Sequence, residues 1–457
     1  MLCSAVTAQQ ALTVTDCMRY AVAHNHDIRI SQLTQDNRRA ERLAAIGSML
    51  PSLSGNIGAQ YNFGRAIDPE TNTYTNVSTF YNGYSVTASL PLFDGFQNIN
   101  RLRAARAGVL MGNSELQAKR DELCLQVFEA YCNVLYYQGT VRMAGEKLEQ
   151  SRQSLLQTRL MCEVGRKSEA DVAQMEAQLA ADEYEVTRQS NELVTARLAL
   201  AQLMNWQGEI ETAEDLDTLR FQDSSFRFQE VQKNKSFFII ITGNTGKRSS
   251  EETTHDGEAA DWADTDDHPM IEAARQSVSQ ARSNLRVARG GLSPSLSVSA
   301  GVNTTYNKVL HSEATGYGEQ LNNNRGEYVY ASLTIPLFNR LQTLTNIRRQ
   351  RNNLRIAEEE LAQKQDELTK LRLRAASDWE GYRRQTVQME RKVEADSLAY
   401  RLTARKYEEG LASSIDVQTT SATLLQSRAQ LLQCRLMTAL KERMTRYYSG
   451  ERICDTE

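Results

Sequence analysis

The sequence predicts an α+β membrane protein in which long coiled-coil helices join strands that cross a membrane, all built from an internal duplication. Three observations predict it. Segments recur in the same order about 245 residues apart. Apolar residues recur at every seventh position over long proline-free tracts, and four short runs alternate apolar residues with small or polar ones.

The duplication rests on three matches in one order. Leu90-Pro-Leu-Phe93 recurs as Ile335-Pro-Leu-Phe338, and Glu163-Val-Gly165 with Asp171-Val172 recurs as Glu409-Gly410 with Asp416-Val417, each 245 residues on. Pro51-Ser-Leu-Ser54 recurs as Pro294-Ser-Leu-Ser297, 243 residues on. The chain therefore divides into a first repeat over 9–219, an inter-repeat insertion over 220–268 and a second repeat over 269–457. Residues 1–8 end in small residues and read as the remnant of an export signal.

Each repeat opens with an Ala- and Arg-rich helix, Ile28 to Met49 and Ile271 to Arg289. Paired strands follow. In the first, Leu53, Ile57, Ala59, Tyr61 and Phe63 alternate with Ser54, Asn56, Gly58, Gln60 and Asn62, and the partner carries Tyr84, Val86, Ala88 and Leu90. The second repeat shows Leu296, Val298, Ala300, Val302 and then Val329, Ala331, Leu333, Ile335. Period-two alternation gives each strand one apolar and one small, polar face. Four strands are too few to close a membrane barrel, which needs at least about eight. Three chains would supply twelve, with apolar faces on lipid and Ser/Asn/Gln faces on water. A two-layer β domain capping a soluble coiled coil is the competing architecture.

After each Pro-Leu-Phe the period becomes helical. Leu102, Val109, Leu116, Leu123, Ala130, Tyr137 and Ala144 stand seven apart, as do Ile347, Leu354, Leu361, Leu368, Ala375, Tyr382 and Met389. Such a run predicts left-handed supercoiling of long helices. From Phe96 to Cys162, 67 residues rise roughly 100 Å, too long for one helix of a compact globule. Turns at Gly165 and Gly410 lead into return helices, the first carrying Val172, Leu179, Val186, Leu193 and Leu200.

Composition excludes several classes. With a mean hydropathy of −0.53 and no apolar run longer than segments such as Phe237 to Ile241, no helix can span a bilayer. The 53 basic and 57 acidic residues nearly cancel, which leaves no nucleic-acid footprint. Seven cysteines form no CxxC pair and read mostly as small buried residues. His24 and His26 fall on different sides of a helix, and His255, His268 and His311 fall in loops without a nearby Cys, so no metal site is expected. No nucleophile elbow or P-loop is present, and neither an enzyme nor a cofactor is predicted.

These residues resemble the TolC-type outer membrane efflux proteins over nearly the whole chain: helix, Pro-Ser-Leu-Ser strand, Leu-Pro-Leu-Phe-Asp-Gly strand end, long helix, tip turn and return helix, twice. The resemblance implies a homotrimer with a 12-stranded barrel in the outer-membrane lipid and a long α-helical barrel in the periplasm of a Gram-negative cell. It implies a passive exit duct of a tripartite pump or type I secretion system, with a periplasmic adaptor and an inner-membrane transporter as partners. A structural periplasmic coiled coil is the alternative. The resemblance also places gating and adaptor contacts at the tip turns: Gly165, Arg166, Lys167 and Asp171 in the first repeat, Tyr407, Gly410, Leu411, Asp416 and Thr419 in the second. Threefold repetition of Asp171 or Asp416 would make a charged constriction, while the same carboxylates could instead cap helix N-termini. Thr419 stands where relatives often carry a second Asp, and Ala412 where an Arg is common, so the closing contacts must differ.

Ser249 to His268, rich in Asp and Glu, reads as a mobile insertion, and Phe237 to Ile241 as a short strand. The strand-joining segments Asp68 to Thr79 and Lys308 to Arg325 read as outward-facing loops.

Overall fold

The computed structural model describes residues 12–67, 72–76, 78–208, 210, 212, 268–309 and 316–453. The export-signal remnant, the Phe237 to Ile241 strand, the acidic run up to residue 267, and His255 and His311 lie outside the described residues.

The chain forms two compact units, and neither coincides with a sequence repeat. One comprises residues 31–116 and 269–365, the other 1–30, 117–268 and 366–457. Each draws on both repeats, because the long helices run through both units.

The first unit holds the sheet. Helix α2 (His26–Gly47) leads to β1 (Ser52–Asn62), and β4 (Thr79–Phe93) returns antiparallel to it. A short ribbon, β2 (Arg65–Ile67) and β3 (Tyr74–Asn76), interrupts the connection. The second repeat supplies α5 (Pro269–Gly290), β5 (Ser295–Val309) and β6 (Gly326–Thr334). The sheet order is β1-β4-β5-β6, antiparallel throughout, with β1 and β6 as edges. Lys308 to Arg325, expected as a plain loop, contains helix α6 (Tyr317–Asn323). This helix takes the place of a longer β6: Gln320 Oε1 accepts from the Asn307 N–H at 3.0 Å and its Nε2 donates to the Asn307 carbonyl at 3.0 Å. Asn324 donates to the Thr305 carbonyl at 2.7 Å.

The register sorts the sheet into two faces. Leu53, Ala88, Ala300 and Val329 form one row, Leu90, Val298 and Ala331 another. The opposite face carries rows such as Ser54, Thr87, Gly301, Tyr328 and Ser52, Ser89, Ser299, Tyr330. Both faces are largely solvent-exposed in the single chain, with Leu53 at 75 % and Val329 at 79 %. Below the sheet, Leu285 and Ala288 pack on Ile347, and buried Gln35 donates to the Val109 carbonyl at 2.9 Å and to Asn113 Oδ1 at 2.7 Å.

Both sheet-to-helix junctions use two successive left-handed residues, Gly95 and Phe96 (φ 67° and 62°) before α3 (Gln97–Glu163), and Arg340 and Leu341 (φ 54° and 64°) before α7 (Gln342–Glu408). Gly95 is obligatory for a second reason: a Cβ there would run into the Gly290 carbonyl oxygen. α3 and α7 are each 67 residues long with ends displaced by 245. α4 (Glu169–Met204) and α8 (Ser414–Tyr448) return from them. None of the described helices is long and apolar enough to cross a membrane.

The helical unit buries Val127, Phe128, Tyr131, Val134 and Leu135 of α3 with Leu200 and Met204 of α4. An extra helix, α1 (Val14–His24), docks on α4 through Tyr20 against Trp206, ring centroids 4.7 Å apart, and through Asn25 donating to the Leu203 carbonyl at 2.9 Å. The helix breaks at Asn25, so His24 and His26 end one helix and begin the next rather than sharing one. His268 lies just before α5, outside any helix as expected, but it is buried at 2 % exposure, with its ring 5.0 Å from that of Tyr447. Among the described cysteines, Cys17, Cys124 and Cys132 are buried, while Cys162 and Cys434 are half-buried.

Candidate functional site

The two helix-to-helix turns of the helical unit are near-identical devices. α3 ends with Gly165 at φ 74° and α7 with Gly410 at φ 77°, a left-handed conformation glycine adopts without penalty. In the first, Gly165 N–H donates to the Cys162 carbonyl at 2.9 Å and Arg166 N–H to Met161 at 2.8 Å; in the second, Gly410 donates to Tyr407 at 3.0 Å and Leu411 to Lys406 at 2.7 Å. This 5→2 and 6→1 pattern satisfies the last carbonyls of each helix.

The return helices begin equally alike. Ser168 caps α4 and Ser413 caps α8, each hydroxyl accepting from the backbone N–H three residues on at 3.2 Å. Asp171 and Asp416 answer reciprocally: their Oδ2 atoms accept the Ser168 N–H at 3.0 Å and the Ser413 N–H at 2.9 Å. These backbone bonds, helped by the serine hydroxyls, hold both carboxyls below the usual aspartate range. Both aspartates are thus the third residue of a capping box, ionised and at the surface. Thr419 turns inward on its own helix, donating to the Ile415 carbonyl at 2.8 Å.

Tyr407 is the residue that ties the second hairpin to the first. It is 7 % exposed, its hydroxyl lies 3.0 Å from the hydroxyl of fully buried Thr158 on α3, and the Lys167 ammonium sits 4.3 Å from its ring centroid. One turn further, Ser414 donates to Gln174 on α4 at 3.2 Å. The structure therefore brings Lys167 and Tyr407 together, keeps Asp171 and Asp416 in their local caps, and leaves Leu411, 74 % exposed, and Arg166 at the surface. Thr158 and Gln174 escaped the sequence reading. A usable signal was the repeat itself: Tyr407 stands where the first copy has Cys162, so the second copy departs from the first there.

A small cavity borders this contact, lined by Lys147 and Ser151 of the first hairpin and by Tyr400, Tyr407 and Gln418 of the second. Among the described residues no cluster of His, Cys, Asp or Glu could hold a metal.

The sheet unit carries its own chemistry on the apolar face. An aromatic chain crosses it: Tyr61 to Phe80 at 4.7 Å, Phe80 to Tyr306 at 6.3 Å and Tyr306 to Tyr317 at 4.6 Å, with Tyr317 donating to Asn82 Oδ1 at 3.0 Å. Phe93 and Phe96 pack edge to face at the other end of β4.

A model of sequences described as outer membrane efflux protein matches residues 18–205 and 265–443. The alkaline protease secretion protein AprF of Pseudomonas aeruginosa is 22 % identical over 346 residues, 72 % of this chain and 62 % of that protein, so the match spans less than two thirds of its length. The outer membrane efflux protein BepC of Brucella suis is 21 % identical over 430 residues, 94 % of this chain and 83 % of its own. Among solved structures, the outer membrane protein VceC of Vibrio cholerae shares the fold with a TM-score of 0.74 at 13 % identity, 96 % of each chain being covered.

Proposed function

The chain belongs to the outer membrane efflux protein family, and we propose that it is the outer-membrane exit duct of an efflux or type I secretion system, a passive conduit for small molecules or polypeptide. The observation that carries this is the sheet: two open edges and two exposed faces of opposite polarity. A lone sheet exposing Leu53, Ile57, Val329 and Leu333 at 61–79 % is unstable in water. Sharing it among three chains pairs the edges, turns the apolar rows to lipid and turns the Ser, Thr and Asn rows to a water-filled lumen. The aromatic chain at one end of the apolar face and Phe93 with Phe96 at the other fit the interfacial girdles of such barrels.

The helices support the same assembly. Ile356, Leu373, Val387 and Leu398 of α7 are 48–55 % exposed, a stripe that neighbouring copies would cover. The tip turns are the docking point for a periplasmic adaptor and the transporter behind it, through Leu411, Arg166 and the turn glycines. Closure there relies on Tyr407, Thr158 and Lys167, with Asp171 and Asp416 supplying rings of negative charge.

Reconstitution tests the reading. Protein extracted from membranes in detergent should form discrete ion-conducting channels in planar bilayers; recovery as a detergent-independent soluble chain without conductance would sink the duct and favour a structural coiled coil. Asp416→Ala should raise conductance or relieve block by multivalent cations. Ser413→Ala breaks the same cap and keeps the charge, so an equal effect from both variants would assign Asp416 to helix capping alone.

A further inference from the structure

Three side chains bolt each hairpin together about three turns above its tip, and the two copies wire the same three groups differently. In the first hairpin Asp182 of α4 is 3 % exposed; its Oδ1 takes the Lys147 ammonium of α3 at 2.8 Å and its Oδ2 accepts from Ser151 of α3 at 2.5 Å. Displaced by 245 residues, these positions are Ser427, Lys392 and Asp396. In the second hairpin the carboxylate therefore stands on the outgoing helix and the hydroxyl on the return helix. Ser427 of α8, fully buried, donates to Asp396 Oδ2 at 2.5 Å, and Lys392 reaches the same oxygen at 2.8 Å while also contacting the Ser427 hydroxyl.

We propose that Lys147–Ser151–Asp182 and Lys392–Asp396–Ser427 are one locking node in two wirings, setting the register of the paired helices above the tip. An aspartate facing a serine spans the interhelical gap whichever helix carries which, because the combined reach of the two side chains is unchanged. The lysine, one turn before on the outgoing helix in both copies, neutralises the carboxylate in either place. Only the direction of the ion pair differs. In the first hairpin it runs between helices, so charge attraction joins α3 to α4. In the second it runs along α7 as an i,i+4 pair, and the serine hydroxyl alone bridges to α8. A buried carboxylate such as Asp182 is costly unless paired and hydrogen-bonded; Asp396, with its side chain 20 % exposed, keeps the same two kinds of partner in the second copy, so the set, and not any one residue, is what both hairpins retain. The inference rests on hairpin geometry and stands whether or not the chain conducts.

The test is an exchange inside the first hairpin, on the full chain extracted in detergent. Asp182→Ser strands the lysine and Ser151→Asp sets two carboxylates face to face, so each single variant should lower the midpoint of thermal unfolding by more than about 4 °C. The double exchange Ser151→Asp/Asp182→Ser rebuilds the second hairpin's wiring and should return to within about 2 °C of the parent. Where a single variant is not recovered from membranes, yield replaces the midpoint as the readout. Rescue by the double exchange supports the node. Additive losses, or single variants as stable as the parent, overturn it.

Discussion

Asp121 of α3 is 1 % exposed, and its Oδ1 accepts from Gln117 Nε2 at 3.0 Å. Burial outweighs the pull of Gln117, Arg452 and Arg120 and pushes its pKa up to about 6. A carboxyl whose folded pKa lies above its unfolded value binds its proton more tightly when folded, so its contribution falls as pH rises from about 4 to about 6 and stays low above that. Asp121→Asn should therefore stabilise the chain above pH 7 by on the order of 2 kcal/mol and leave it nearly unchanged at pH 4; thermal melts across pH 4–8 check the slope, and an unaltered slope would acquit Asp121. Single residues were legible where one residue type suffices. Gly165 and Gly410 were, because a helix reversing within a few residues needs positive φ. Thr158 was not: its partner Tyr407 lies 249 residues away, and no local pattern names a cross-hairpin pair. Lys167 was expected at the tip as a charge, yet it acts on an aromatic ring.

At the scale of elements, α3 and α7 were readable almost to their ends, because a sevenfold apolar repeat leaves little choice of period and proline-free tracts leave no place to break. The strands were readable from alternation and flanking prolines. α6 was not, since seven residues hold too few turns for a period and its anchors, Gln320, Asn324 and Tyr317, bind backbone and side-chain amide groups from other segments. The strained junctions were equally silent. Arg340 and Leu341 adopt left-handed backbone without being glycine, a conformation costing roughly 1–2 kcal/mol per residue. The first copy already has glycine at the position matching Arg340. Arg340→Gly should raise stability by about 0.5–1 kcal/mol, measured by denaturant unfolding in detergent; a loss would mean that the arginine side chain contributes more than its backbone costs.

For the whole molecule, sequence alternation named both faces of the sheet, but not the division into two units that each mix the repeats, since that division follows contacts between residues hundreds of positions apart. The apolar face makes the sharpest prediction. Val329 is 79 % exposed in the single chain, so Val329→Arg would be nearly neutral if that face met water. On a lipid-facing strand it should cost about 2–4 kcal/mol near the bilayer centre and reduce the assembled protein recovered from outer membranes, while Ser54→Arg on the opposite face should leave recovery near the parent's. Equal recovery of both variants would remove the lipid assignment. A different hazard precedes any of this. β5 runs past the end of its pairing with β6 at Asn303, and a bare strand end invites strands of other proteins to add on. Side-chain amides from α6 already answer the Thr305 carbonyl and both backbone groups of Asn307, so this short helix takes up hydrogen-bonding groups that a stray strand would otherwise use.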